Sequence, residues 1–505
     1  MPLLAALVMA LSALVSPLPG WAQTAPYQWS GFAGDARHTA VSSVASQPLV
    51  RIRWQTPVDL QPQDSGGELL IHYGSPVVTA ANTVIVPVKV TRGGVYRVEA
   101  HSGADGTLQW KLLSDYVLPP HNWTPSYNPV LTPTNRLYFP GAGGTLLFRD
   151  QPDSPTGPTG RVAFYGIGNF EARASVFARN VMINTPLTSD GAGNVYFGFQ
   201  VLGPAPLNLK SGVARVTPTG AGTWISAAEA AVDAAMKKVV HNSAPALSRD
   251  GSALYVAINN SDGTSSGPGY LVKLDSQTLA PLARVRLKDP VSGADASLPD
   301  NGTASPTVGP DGDVYFGVLE NPFPSNNDRG WLLHFDGTLA QKKIPGAFGW
   351  DDTASIVPAA AVPSYAGQSA YLLMTKYNNY AGAGGDGVNK IAVLDPNTSM
   401  IDPVTGGTVM NEVLTIVGPT PDPSPGFPHA VREWCINTAV VDPATKSVLV
   451  NSEDGKLYRW DLTTNTFTQT VDLTEGIFEA YTPTLVGADG TVYAINNAIL
   501  FAVGL

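Results

Sequence analysis

Residues Tyr481–Val503 read YTPTLV, GADG, TVYAINN and AILFAV in succession. The first two runs flank Asp489-Gly490 and a third follows Asn496-Asn497, which is the pattern of three antiparallel strands joined by tight turns. The sequence ends shortly after the third run, so this meander lacks the outer strand of a four-stranded unit. We therefore expect the fourth strand to come from the beginning of the chain, which would close a ring.

The opening of this meander recurs along the chain, as in repeat proteins. Each copy is a short apolar run, usually containing a proline, and most continue through an acidic, glycine-containing hairpin into a second strand. The hairpins carry too few carboxylates for calcium loops. Eight such copies predict an all-β, eight-bladed β-propeller of four-stranded antiparallel blades. The copies begin at Ser75, Asn128, Thr185, Ala244, Ser305, Ala354, Thr438 and Thr482.

Two further segments have recognisable patterns. The alternation of Leu49 to Thr56 suits a half-exposed outer strand, and we expect this strand to complete the last blade. Ser226 is followed three residues later by Glu229, which is the form of a capping box, so we expect a helix over Ser226 to Lys238. We predict that residues 23–505 form a single propeller domain.

The N-terminal residues have the features of a secretory signal. Leu3 to Val15 is apolar, and small residues surround a cleavage position after Ala22. A buried strand or a membrane anchor is the alternative, although the run is short for a span of about 20 residues. We predict a signal peptide over residues 1–22, a periplasmic or secreted protein, and no membrane span after its removal.

Net charge limits the classes of binding partner, and the cysteine count excludes internal disulfides. The formal net charge is -10 at pH 7, which argues against nucleic acid as a partner. Cys435 is the single cysteine, so the chain has no internal disulfide. We expect a monomer whose partner is a small molecule, a glycan or another exported protein.

One stretch resembles a known family. Tyr96–Trp110, YRVEAHSGADGTLQW, is similar to the tryptophan-docking repeat of the quinoprotein propellers, in which an alanine, a glycine turn and a terminal tryptophan lock neighbouring blades. Leu271 to Asp275 and Tyr458 to Leu462 are looser copies. The resemblance implies the pyrroloquinoline-quinone-like propeller superfamily, which includes dehydrogenases and non-catalytic assembly scaffolds. The whole chain also resembles exported bacterial propellers without an assigned activity.

The resemblance implies pyrroloquinoline quinone and calcium as candidate cofactors. Quinoprotein alcohol dehydrogenases use an adjacent cysteine pair at the quinone, which Cys435 alone cannot supply, and no Cys-x-x-Cys-His haem site occurs. Sugar-oxidising relatives do without that pair, so the quinone is disfavoured rather than excluded. We expect a ligand-binding or interaction scaffold. The alternative is an enzyme, either a quinoprotein-type oxidoreductase or an acid–base lyase or hydrolase acting on a glycan.

Loops that enter the innermost strands of a propeller open onto one end of its channel. Titratable residues are concentrated at these positions, and in a chain with only 14% charged residues this concentration indicates a functional site. Four residues before each anchor proline, or its aligned substitute, stand His72, Pro125, Met182, His241, Gly302, Asp351, Cys435 and Glu479.

We assign three roles at these loops. The candidate catalytic residues, for general acid–base chemistry, are His72, His241, Arg432 and Glu433. The candidate ligand-binding residues are Tyr73, Trp123, Asn242, Trp350, Trp434 and Tyr481. The candidate ligands of a hard cation such as calcium are Asp351, Asp352 and Glu479. The alternative is that all these side chains bind channel waters and pin the blades together, and that Cys435 is an inert small hydrophobe rather than a nucleophile.

Overall fold

The chain is organised as successive antiparallel sheets around one axis. A computed structural model describes residues 28–65, 68–69, 71–121, 123–125, 127–475 and 479–505. The predicted signal peptide lies outside these residues. Eight sheets follow one another along the chain, and the innermost strand of each lies at one of the predicted anchors. The prediction of an all-β, eight-bladed propeller is confirmed.

The blades are numbered in chain order, and their strands run from the channel outward. Blade 1 contains Val77–Val78, Thr83–Lys89, Tyr96–Ser102 and Leu108–Ser114. Blade 2 contains Val130–Leu131, Leu137–Pro140, Thr145–Arg149 and Thr159–Ala163. Blade 3 contains Val181–Ile183 and Thr188–Ser189, both paired with Val195–Val201, then Gly212–Val216 and Gly222–Ser226. Blade 4 contains Lys238–Val239 and Ala246–Leu247, both paired with Ala253–Asn259, then Gly269–Asp275 and Pro281–Arg286.

The second half of the ring repeats this plan, except that the described part of blade 5 has three strands. Blade 5 contains Thr307–Val308, Val314–Val318 and Trp331–Phe335. Blade 6 contains Ser355–Pro358, Tyr371–Tyr377, Lys390–Ile401 and Thr408–Val417. Blade 7 contains Val440–Asp442, Ser447–Asn451, Lys456–Asp461 and Thr466–Asp472. Blade 8 contains Leu485–Val486, Val492–Asn496, Ile499–Gly504 and, as its outer strand, Arg51–Pro57.

Short elements occupy the connections. A small hairpin pairs Asp64–Ser65 with Glu68–Leu69. The α-helices are Ile167–Ala172, Ala174–Asn180 and Ala227–Ala230, and the 3-10 helices are Ala142–Gly144, Pro206–Asn208, Ala359–Ala361 and Ala381–Ala383. Within the part of the chain that the structure describes, none of these helices has the length and hydrophobicity to cross a bilayer.

The predicted helix over Ser226 to Lys238 is wrong in its length. Its start is confirmed, because Ser226 and Glu229 form a capping box at the N-terminus of Ala227–Ala230. The helix then ends, since Val232 has a φ of 49°, which a helix does not accommodate. Lys238 instead begins a strand that pairs with Asn259.

Ring closure takes the predicted form. Arg51–Pro57 pairs antiparallel with Ile499–Gly504, so the outer strand of the last blade comes from the first part of the chain. Trp54 anchors this strand against blade 1, because its Nε1 donates to the carbonyl of Gly103 at 3.1 Å. Its ring also stacks on His101, 6.0 Å between centroids. The closing strand therefore joins blade 8 and packs against blade 1.

Residues 28–47 add a feature that repeat analysis does not predict. This N-terminal segment follows the ring of blades at the end of the channel where the innermost strands finish. Phe32, Ala33 and Ala40 pack with Ala244 in a small buried cluster. Backbone hydrogen bonds of 2.7–3.0 Å join the segment to seven blades, through the pairs Trp29 and Val78, Ser30 and Leu131, Ala36 and Leu247, Arg37 and Val308, Thr39 and Ile356, Ala40 and Val441, and Gln47 and Gly490. The segment thus occupies one end of the channel, and the predicted site lies at the other.

The tryptophan-docking resemblance has a structural counterpart in blade 1. Trp110 lies on the outer strand, opposite Ala100 in register. Its Nε1 donates to the carbonyl of Pro152 in blade 2 at 2.7 Å, and the Arg149 guanidinium lies 4.3 Å from its ring centroid. Trp110 therefore links two adjacent blades, as the resemblance implies.

Candidate functional site

His72 lies at the centre of the channel mouth, the name used here for the end opposite the N-terminal segment. Its Nε2 lies 2.6 Å from the carbonyl oxygen of Asn301, in the loop that enters blade 5. Blades 1 and 5 are opposite each other in an eight-membered ring, so this bond spans the axis. A carbonyl only accepts, so Nε2 carries the proton and Nδ1 presents a lone pair. Nδ1 is buried, with no hydrogen-bond partner in the described part of the chain.

Two aromatic rings flank His72. Trp123 stacks on it, with centroids 5.4 Å apart and an interplanar angle of 22°. Tyr481 meets it edge-on at 5.2 Å. Trp123 and Tyr481 themselves lie at 86° to each other, 6.5 Å apart. Blades 1, 2 and 8 therefore contribute a compact aromatic corner, and both aromatic residues were predicted to bind ligand.

Asp351 and Asp352 enter blade 6 at the same mouth. Asp351 has a φ of 52°, an uncommon backbone conformation outside glycine and asparagine, and its Oδ1 accepts from the backbone N–H of Thr303 at 2.5 Å. Asp352 Oδ2 accepts from the Thr375 hydroxyl at 2.6 Å. Burial raises the pKa of Asp352 to about 7, against the opposing effects of Lys376 and of the Thr375 hydrogen bond. Asp352 is thus a carboxyl group that exchanges its proton near neutral pH.

Lys376 is a central residue that the sequence analysis missed. It lies on the second strand of blade 6, and only 1% of its surface is exposed. Its Nζ is 5.2 Å from the ring centroid of Tyr481 and 5.8 Å from that of Phe348. The ammonium also acts electrostatically on Asp352 and His72. A lysine inside the apolar run YLLMTKY was the available signal, because a buried charge needs specific surroundings.

Blade 7 contributes a group of metal-ligating side chains. One ligand atom from each of Glu433, Cys435 and Glu453 lies within 4.8 Å of the other two. The Cys435 thiol donates to Glu453 Oε2 at 2.9 Å, and the Glu433 backbone N–H donates to Glu453 Oε1 at 3.2 Å. Burial, followed by the two glutamates, raises the pKa of the Cys435 thiol. The sequence analysis named Glu433 and discussed Cys435, but it missed Glu453, which lies in the hairpin after the second strand of the blade.

Glu479 links this group to the aromatic corner. It is half-buried in the loop that enters blade 8 and acts electrostatically on both Cys435 and Tyr481. In the described residues, however, no three ligand atoms of Asp351, Asp352 and Glu479 form a group as close as the one in blade 7. The predicted calcium site on these three residues stays a prediction.

His241 and Asn242 lie at the same end of the channel but in a different environment. The Asn184 amide lies 3.1 Å from His241 Nδ1, and His241 Nε2 lies 3.1 Å from the carbonyl of Pro120. Burial lowers the pKa of His241 to about 3. The Asn242 amide donates to the carbonyl of Gly302. Both ring nitrogens of His241 are thus occupied by protein atoms, in contrast with His72.

The other predicted residues lie outside the aromatic corner. The Tyr73 hydroxyl donates to Asp59 at 3.2 Å, in a buried ion pair with Lys89. Trp434 is buried in blade 7 against Tyr458 and Phe467. Arg432 pairs with Asp422 at 3.0 Å, and both side chains are partly exposed.

The geometry also bears on the quinone. Trp350 and Asp351 line a cavity of only about 10 Å³ near Gly302. Beside it, the bond between His72 and Asn301 connects opposite sides of the mouth. A planar tricyclic quinone needs a slot between two flat surfaces, and these residues do not provide one. The cavity beside Trp350 and Asp351 therefore does not fit pyrroloquinoline quinone.

The raised pKa of Asp352 predicts a specific pH dependence. Between about pH 4 and pH 7 the folded protein holds a proton that the unfolded chain has lost, so this group makes folding less stable as pH rises. Asp352→Asn should remove up to about 1.4 kcal/mol per pH unit of that decline. Urea unfolding of the intact protein and of the variant across this range measures the free energy of unfolding of each. The buried histidines contribute with the opposite sign, but they contribute equally to both proteins and cancel in the difference between them. Parallel pH profiles would show that Asp352 is ionised in the folded protein.

Comparison with solved structures identifies the fold. A europium-containing methanol dehydrogenase superposes with a TM-score of 0.52 at 10% identity, covering 93% of this chain and 89% of that one. A quinohemoprotein alcohol dehydrogenase from Comamonas testosteroni superposes with a TM-score of 0.53 at 11% identity, covering 95% of this chain and 77% of that one. A quinohemoprotein alcohol dehydrogenase from Pseudomonas putida superposes with a TM-score of 0.52 at 12% identity, covering 95% of this chain and 76% of that one. The sequence matches no protein-family model and no curated protein. The likeness establishes that this chain shares the eight-bladed propeller fold of these dehydrogenases.

Proposed function

We propose that this quinoprotein-type propeller is an exported ligand-binding protein whose site is the aromatic corner of the channel mouth. The observation that carries the proposal is His72, whose proton is held on Nε2 by Asn301 while no described residue donates to the buried Nδ1 lone pair. Buried polar atoms are nearly always paired, so an unpaired acceptor beside two aromatic rings supports a ligand that donates a hydrogen bond there.

The surrounding groups favour a small polyhydroxylated ligand, such as one or two sugar residues. Trp123 and Tyr481 offer apolar ring surface on which a sugar ring can pack. Asp351 and Asp352 supply acceptors for hydroxyl groups, and Lys376 supplies a donor. The N-terminal segment occupies the opposite end of the channel, which supports access from the mouth.

The test is a thermal-shift screen of neutral and acidic mono- and disaccharides, followed by calorimetry of any compound that raises Tm. We expect Trp123→Ala to weaken binding at least about tenfold, equivalent to 1.4 kcal/mol, because it removes the stacked ring beside His72. Trp224→Ala is the matched control, since Trp224 lies on the outer strand of blade 3, against Phe199. Equal affinity of the two variants would exclude the aromatic corner as the site.

An enzyme is the second candidate, and one observation favours it. A carboxyl group with a pKa of about 7 can both donate and accept a proton at neutral pH, which is the property of a general acid–base. The candidate reaction is acid–base cleavage of a glycan with Asp352 as the proton-transfer group. Release of reducing ends from a ligand found in the screen, lost in Asp352→Asn while binding persists, would establish catalysis. Binding without turnover would leave the ligand-binding function.

A further inference from the structure

The group of Glu433, Cys435 and Glu453 is a second chemical feature of the channel mouth, separate from the aromatic corner. All three side chains belong to blade 7, two on the segment that enters its innermost strand and one on its next hairpin. The hairpin turn contains Gly455 at a φ of 81°, a conformation that glycine adopts without strain. The Glu433 backbone fixes Glu453 by a hydrogen bond. The arrangement is therefore local and does not depend on contacts across the ring.

The spacing of the three ligand atoms suits a small divalent ion. Cys435 Sγ lies 2.9 Å from Glu453 Oε2 and 3.9 Å from Glu433 Oε2. Tetrahedral zinc, with bonds of roughly 2.3 Å to sulfur and 2.0 Å to oxygen, separates such atoms by about 3.5 Å. Rotations of the two flexible glutamate side chains are enough to close the difference.

A second observation points to a ligand at this mouth. Asn437, two residues after Cys435, is fully buried, and its amide donates to the carbonyl of Thr303 at 2.9 Å. Its Oδ1 accepts from no described residue. A metal ion and its bound water molecules satisfy acceptors of this kind.

We propose that Glu433, Cys435 and Glu453 form a binding site for a divalent transition metal, with Zn²⁺ or Co²⁺ as the class of ion. A thiolate ligand favours these ions over Ca²⁺ and Mg²⁺, which prefer oxygen alone. On binding, the thiol proton leaves to solvent and the sulfur coordinates as thiolate. Three protein ligands leave a fourth position for water, as in zinc sites that activate water. This site is distinct from the predicted calcium site and does not depend on the proposed sugar ligand.

Co²⁺ is the probe for the test, because a cobalt–thiolate bond gives a charge-transfer absorption in the near ultraviolet that cobalt bound only to carboxylates lacks. The intact protein, freed of metal with a chelator and kept reduced, is titrated with cobalt chloride. We expect this absorption to saturate at one equivalent and to disappear when Zn²⁺ is added, while Ca²⁺ leaves it unchanged. Saturation without the absorption would overturn the proposal, and so would an absence of binding.

Variants assign the ligands. Cys435→Ser should abolish the absorption, and Glu433→Gln and Glu453→Gln should each weaken Co²⁺ binding by about tenfold or more. Glu171→Gln, at an exposed position of helix Ile167–Ala172, should bind as the unaltered protein does. Near-ultraviolet circular dichroism confirms that each variant is folded. If the two glutamine variants bind Co²⁺ as tightly as the control, the site is not the one proposed. Sugar binding is not part of these measurements, so either proposal can fail without the other.

Discussion

Deleting residues 23–56 is expected to prevent cooperative folding of the propeller. The deletion removes all but the last residue of the outer strand of blade 8, together with the N-terminal segment that bonds to seven blades. A domain is stabilised by only about 5–15 kcal/mol in total, so the loss of a strand and of the N-terminal segment exceeds what the rest can compensate. Thermal and urea unfolding, each followed by near-ultraviolet circular dichroism and by fluorescence, would detect the loss.

A point substitution separates ring closure from the rest of the deletion. Trp54→Ala should cost about 3–5 kcal/mol, because a buried aromatic side chain leaves a cavity between blade 8 and blade 1. Val50→Ala is the control, since that side chain is 61% exposed and should change stability by less than about 0.5 kcal/mol. If the deleted protein melts like the intact one, closure does not stabilise the ring.

The second large effect is expected at a buried ion pair beside the channel mouth. Lys238 and Asp300 have side chains only 1% and 2% exposed, and Asp300 also accepts from Ser261 and, at 3.3 Å, from Asn259. Burial lowers the pKa of Lys238, against the opposing effect of Asp300. Asp300→Asn would leave the ammonium buried without its counter-charge, at a cost of about 3–5 kcal/mol.

Two comparisons make this prediction specific. Arg286 and Asp295 form an ion pair at 2.7 Å that is 26% and 36% exposed, so Asp295→Asn should cost no more than about 1 kcal/mol. The double variant Lys238→Met, Asp300→Leu replaces both charges by apolar groups and should be more stable than Asp300→Asn alone. Urea unfolding of the four proteins measures these differences. If Asp300→Asn and Asp295→Asn lower the free energy of unfolding by similar amounts, burial does not determine the cost of breaking these ion pairs.

The sequence predicts the parts of this fold that local patterns encode. An anchor such as Ser305 to Val308 combines a proline, a short apolar run and a hairpin, all within about a dozen residues. Residues this close in sequence determine turns and short strands, so a local pattern is enough to predict them. The closing strand follows from the same repeat count. The helix after Ser226 ends before Val232, which has a positive φ, and Lys238 beyond it is held by Asp300 on a loop distant in sequence.

The site is less predictable because its contacts join different blades. Their positions before the anchors place His72 and His241 at the same end of the channel. The two imidazoles nevertheless differ, because Asn184 and Pro120 contact both ring nitrogens of His241, whereas Nδ1 of His72 has no described partner. Neither difference is visible in the residues adjacent to the histidines. The path of residues 28–47 is equally hidden, since the bonds that join it to seven blades in succession are made by the backbone. Backbone hydrogen bonds place almost no demand on residue type.

The closing strand also has consequences for folding kinetics. Arg51 and Leu505 are in contact across 454 residues of sequence, so Arg51–Pro57 cannot pair until the last blade has been synthesised. At roughly 5–20 residues per second, that delay is on the order of tens of seconds. During this time the N-terminal segment has no folded partner ring, and contacts of such high sequence separation form slowly even afterwards. Residues 28–57 are therefore the part of the chain exposed longest to chaperones and proteases before the native structure forms.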